Sequence, residues 1–80
     1  MKTLKFAPYF ENEVLRKRPY VTKEMVARVI NEPLRTEVQP NGRIRYWAQL
    51  KELGGRYLRV VTLDDRETVI NAFLDRDYKP

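Results

Sequence analysis

The 80-residue chain has no cysteine and no histidine. Without thiols there are no disulfide staples and no thiolate nucleophile. Without imidazole, the triads that rely on it as a base and the usual zinc ligand sets are excluded. Glycine (3) and proline (5) are scarce, and with 42% hydrophobic residues this argues against disorder. No apolar run approaches the ~20 residues of a membrane span, and the N-terminus lacks the apolar core of a secretion signal. The expectation is one cytoplasmic domain over residues 1–80, burying about 63% of the surface its unfolded chain exposes.

What is plentiful is charge. Sixteen Lys/Arg against eleven Asp/Glu leave +5 at neutral pH. The excess is uneven: residues 41–60 carry Arg43, Arg45, Lys51, Arg56 and Arg59 against Glu52 alone. Residues 61–80 lean acidic, with Asp64, Asp65, Glu67, Asp75 and Asp77 against Arg66, Arg76 and Lys79. A basic stripe beside an acidic end suits a polyanion, an acidic protein partner or plain solubility.

The N-terminal part reads as helical after a short strand or arm at Thr3 to Phe6. A first helix begins at Pro8 or Tyr9, with Phe10, Val14 and Leu15 as its apolar stripe, and Pro19 stops it. Thr22 is a good N-cap for a second helix; Val21 and Val26 stand at staple positions, and Met25, Val26, Val29 and Ile30 form the buried stripe. From Leu34 the period becomes two. Strands near 34–39, 43–51, 56–63 and 67–74 are separated by turns at Gln39-Pro40-Asn41-Gly42, Leu53-Gly54-Gly55 and Asp64-Asp65-Arg66. The fold class expected is α+β: two N-terminal helices on one face of a three- to four-stranded antiparallel meander, with the N-terminal segment as a candidate additional short strand.

Alternation assigns the faces. Even positions Ile44, Tyr46, Ala48, Leu50, Leu58, Val60, Thr62, Thr68, Ile70, Ala72 and Leu74 are expected to face the helices. The odd face collects Arg35, Glu37, Arg43, Arg45, Trp47, Gln49, Tyr57, Arg59, Val61, Val69, Asn71 and Phe73. Arginines interleaved with aromatic rings offer forked donors for phosphates and π-surfaces for unpaired bases. Arg35, Arg43, Arg45, Trp47 and Arg59 are accordingly the candidate RNA-binding residues. Structural readings stand beside this one: Arg45 pairing with Glu37 across the first hairpin, Arg35 covering Trp47, and burial of Val61, Val69 and Phe73 by the N-terminal segment or another subunit.

The second helix ending in Val29-Ile30-Asn31-Glu32-Pro33, the strand Tyr57–Leu63 and the segment Glu67-Thr68-Val69-Ile70 resemble the RelE-type toxin superfamily, and more narrowly the small BrnT-like proteins. That resemblance implies a RelE-like fold and a metal-independent endoribonuclease, acting on free or ribosome-bound RNA and neutralised by a cognate antitoxin. Its catalytic candidates are Arg59 on the central strand, Arg76 just after the last strand, and Tyr57. They would orient the 2′-hydroxyl and stabilise a charged phosphorane. The chain departs from the pattern in having no third helix after the last strand.

The remaining motifs are structural. Asp64-Asp65-x-Glu67 and Asp75-x-Asp77 could attract Mg²⁺ weakly, but Asp is common in turns for backbone reasons. Gly54-Gly55 is a turn with no helix to complete a phosphate loop. Arg16-Lys17-Arg18 suits a helix C-terminus. No metal or cofactor is assigned. The alternative to RNA contact is a non-catalytic adaptor, or a homo-oligomeric subunit such as a homodimer, docking through the same sheet face.

Overall fold

The computed structural model describes residues 4–80, and within them the chain is an α+β domain. Its elements are β1 (Lys5–Phe6), a π-helical turn (Phe10–Val14) running into α1 (Leu15–Lys17), α2 (Lys23–Asn31), β2 (Arg35–Val38), β3 (Ile44–Leu50), a 3₁₀ turn (Lys51–Leu53), β4 (Arg56–Thr62) and β5 (Thr68–Leu74). The sheet has five strands in the order β1-β5-β4-β3-β2.

Local chemistry explains the helices. Pro8 and Tyr9 are already helical, and Leu15 N–H donates to Phe10 O, the wider spacing of a π turn. Phe10 and Val14 are thereby both buried against the sheet. Thr22 caps α2 as expected, its Oγ1 accepting from Met25 N–H at 3.2 Å. Val26, Val29 and Ile30 form its buried stripe, and Arg28 on the exposed side pairs with Glu52 of the 3₁₀ turn.

The turns follow their sequence signals. Gly42 supplies a φ of 88° and its N–H donates to Gln39 O, closing the β2–β3 hairpin. Gly54, at φ 68°, ends the 3₁₀ turn in the left-handed conformation, and its N–H donates to Lys51 O. The β4–β5 turn is organised by Asp65, whose carboxylate accepts from the N–H groups of Glu67 and Thr68 and from the Thr68 hydroxyl. Those three bonds, led by the Thr68 hydroxyl, pull the Asp65 pKa down to about 2. Arg66 beside it is the one described non-glycine residue with positive φ, at 61°.

Three expectations are corrected. The sheet is not a three- to four-stranded antiparallel meander: β1 adds a fifth strand, parallel to β5, with Lys5 opposite Thr68 and Phe6 opposite Val69. The helices therefore lie between β1 and β2 instead of opening the fold; Thr3, placed at the start of that strand, lies outside the described residues. The third correction is a bulge in β5. Asn71 pairs with Val61 but Val69 pairs with Thr62, leaving Ile70 as the extra residue. The bulge turns Val69 into the core, where it is fully buried, and leaves Ile70 beside Asn71 and Phe73 on the opposite face.

Thr68, before the bulge, and Leu74, which lines a cleft with Tyr57 and Tyr78, are likewise not buried in the core; the other expected core positions keep the alternation. Ile44, Tyr46, Ala48, Leu50, Leu58, Val60, Thr62 and Ala72 are buried beneath the helices with Phe10, Val14, Val21, Val26, Val29 and Ile30. Tyr46 and Thr62 carry the polar atoms of this layer and satisfy each other, hydroxyl to hydroxyl at 3.1 Å.

Candidate functional site

Pairing of β3 with β4 places Trp47 directly opposite Arg59, and pairing of β4 with β5 places Arg59 opposite Phe73. These three side chains share the face turned away from the helices. Arg35 lies opposite Trp47 and Glu37 opposite Arg45, extending the row to β2.

The centre of the row is a closed cluster. The Arg59 guanidinium lies 4.3 Å from the Phe73 ring centroid and 6.0 Å from that of Trp47. Asp75, just past β5, accepts a hydrogen bond from Trp47 Nε1 at 2.9 Å and stands 3.6 Å from Arg59 Nε. That second distance is too long for a hydrogen bond, and Arg59 Nε is buried without another partner, so the contact is Coulombic. Burial opposes ionisation of Asp75. The Trp47 hydrogen bond, the backbone N–H groups of Asp77 and Tyr78, and the Arg59 charge outweigh it and hold the carboxyl below the usual carboxylate range.

The segment after Asp75 folds back over the cluster. Tyr78 stacks on Trp47, with centroids 5.2 Å apart and planes 16° from parallel, and meets the Tyr57 ring at 5.0 Å. Trp47 is left 5% exposed. Its indole face is occupied by the chain's own tyrosine, so as a platform for a base it requires displacement of Tyr78. Arg18, beyond α1, approaches the same Phe73 ring that Arg59 covers.

The other arginines remain open to solvent. Arg35 and Arg45 flank Glu37, each 3.5 Å from its carboxylate, and Arg43 stands at the base of the first hairpin. Exposed ion pairs at such distances are weak, and Arg35 and Arg43 keep guanidinium N–H groups free for a ligand, whereas Arg45 also donates from Nε and Nη2 to the Gln39 side-chain oxygen. Gln39, Arg43, Arg45, Arg59, Asn71 and Phe73 surround a shallow recess of about 180 Å³. Its lining is mostly polar, with Val61, Ile70 and Phe73 as its apolar part.

Arg76 and Tyr57 fall elsewhere. They line a larger cleft of about 440 Å³ with Arg56, Leu74, Asp75 and Tyr78. The three residues assigned catalytic roles are thus divided, Tyr57 and Arg76 in one depression and Arg59 in the other. The groups with clearly shifted pKa values are Glu52, Asp65 and Asp75, all lowered, so none of those three is a carboxyl raised towards neutrality for proton transfer. The roles of Tyr78, Asp75, Gln39 and Asn71 had no sequence motif to announce them. The described residues hold no group of three or more metal-ligating carboxylates, and Asp65 is committed to its turn. No described helix is long and apolar enough to cross a membrane. No protein-family model, curated protein or solved structure matches the chain.

Proposed function

We propose that the chain binds single-stranded RNA through the sheet face that carries Arg35, Arg43, Arg45 and Arg59. The observation that carries this reading is the display of four guanidiniums on one side of β2, β3 and β4 against only Glu37 and Asp75. Arg43 and Arg45 converge with Gln39 and Asn71 on the shallow recess, which offers forked donors to a phosphate and an amide to a sugar or base edge. Arg59 is flanked by Trp47 on one neighbouring strand and Phe73 on the other, so little side-chain entropy is lost when it meets an anion.

The sharper form of the proposal is strand scission of the RelE/BrnT kind. In that form Arg59 neutralises the phosphorane, and Tyr57 with Arg76 contacts the flanking nucleotide in the larger cleft. The test is incubation of labelled single-stranded RNA with the purified chain at low salt. Retention of intact RNA that Arg45→Glu abolishes supports a binder. Products ending in 2′,3′-cyclic phosphate, lost in Arg59→Ala, support the nuclease. RNA left both unbound and intact overturns the reading.

A further inference from the structure

Among the described residues β2 is an edge strand paired only with β3, and its apolar residues are uncovered: Leu34, just before it, is 57% exposed and Val38 60%. The hydrogen-bond ladder fixes which backbone groups are free. Gln39 N–H donates to Arg43 O, so Glu37 and Arg35 also turn their peptide groups towards β3. Thr36 and Val38 aim theirs at the open edge. An edge strand presents unpaired backbone groups that template pairing with another chain, and β2 is a short one of four residues with Arg35 and Glu37 charged. This one carries no lysine, and its prolines, Pro33 and Pro40, stand outside the strand and frame it.

We propose that β2 pairs antiparallel with β2 of a second copy of this chain, about a twofold axis through Thr36, joining two five-stranded sheets into one. Sequence and geometry select this register. A self-pairing strand must place outward-pointing residues opposite one another, which allows an axis on any residue of the edge. Leu34 is excluded because its N–H already donates to Trp47 O at 2.7 Å, and Arg35 or Glu37 on the axis would set like charges face to face, leaving Thr36 and Val38. An axis at Val38 sets Thr36 against Pro40, so a proline without an N–H enters the ladder. At Thr36 every pair is complementary. Thr36 meets Thr36, Leu34 meets the Val38 of the second copy, and Arg35 meets its Glu37. Both apolar contacts fall on the helix side and both ion pairs on the arginine face, because a twofold perpendicular to the sheet keeps like faces together. The inference stands apart from the RNA reading, since β2 self-pairing requires no nucleic acid.

The test is sedimentation equilibrium of the full chain from low micromolar to millimolar concentration, with amide exchange alongside. The mass is expected to rise from 9.6 kDa towards twice that value. Over the same range the Thr36 and Val38 amides should gain protection, while those of Arg35 and Glu37, bonded to β3 in either state, stay unchanged. Thr36→Pro removes only an edge N–H and should leave a folded monomer at every concentration. Arg35→Glu and Glu37→Arg should each be monomeric alone and form a heterodimer when mixed, since the pairing then sets two glutamates against two arginines. A wild-type chain monomeric throughout, a dimer that survives Thr36→Pro, or charge variants that fail to complement each other would overturn the proposal.

Discussion

Removing the Asp75 carboxylate tests how the arginine face is held together. In Asp75→Ala, Trp47 Nε1 loses its acceptor in a site only 5% exposed, a loss of about 1–3 kcal/mol. Arg59 loses its counter-ion as well. Breaking a fully buried pair costs about 3–5 kcal/mol, but Arg59 keeps a side-chain exposure of 22% and the faces of Phe73 and Trp47, so its share lies at or below the low end of that range. The two losses overlap, because both groups relax towards water together. The expected net destabilisation is about 2–4 kcal/mol, a large fraction of what a domain of this size possesses. Asp75→Asn keeps an oxygen for Trp47 and drops only the charge, so it should fall about midway. Trp47 is the only tryptophan, so urea unfolding followed by its fluorescence reads the cluster itself. The folded-state emission of Asp75→Ala should also shift red as Tyr78 loses its anchor. A destabilisation below about 0.5 kcal/mol with unshifted emission would refute this account, since that is the range of an ordinary surface substitution.

Further outcomes concern the β4–β5 turn, the acidic side chains with lowered pKa, and the core. Arg66→Gly should stabilise the fold by up to about 1 kcal/mol in thermal or urea unfolding, because Arg66 sits at φ 61°, where a Cβ costs about 1–2 kcal/mol that glycine entropy only partly offsets. Asp65 and Asp75 have folded pKa values below their ordinary 3.8. Their stabilisation is therefore present above that value and is lost as pH falls through the folded values, to about 2 for Asp65. The urea midpoint should drop across this window, and less steeply in Asp65→Asn. In the core, Leu58→Ala should cost about 2–5 kcal/mol by urea unfolding, since Leu58 is fully buried on the central strand.

The hairpins and their faces were legible because period-two alternation and turn residues act locally. Gly42, Gly54 and Asp65 each set a turn from within a few residues, and once the turns are set, Trp47 and Arg59 must meet. Non-local or signal-free features escaped. A short strand or arm at the N-terminus was expected, but its parallel pairing across nearly the whole chain with β5 was not, since two residues leave no periodicity to read. The bulge at Ile70 carries no glycine or proline; Val-Ile alternates acceptably in either register, and only the packing of Val69 beside Phe6 and the core decides. Tyr78 is a lone aromatic between Asp77 and Lys79, and nothing in that spacing tells that it stacks on a ring 31 residues earlier. The arginines of the candidate site were legible as a set. Their division into the solvated group around Glu37 and the enclosed Arg59 was not.

The most direct test of the proposed role is the salt dependence of single-stranded RNA binding. If Arg35, Arg43, Arg45 and Arg59 each meet one phosphate, log Kobs should fall with log salt at a slope of about −2.8, from about 0.7 per contact on a single strand. In the double variant Arg43→Ala/Arg45→Ala the slope should halve to about −1.4, with affinity reduced for all sequences alike. A slope near zero, or one unchanged in the double variant, would contradict the assignment of this face to a polyanion.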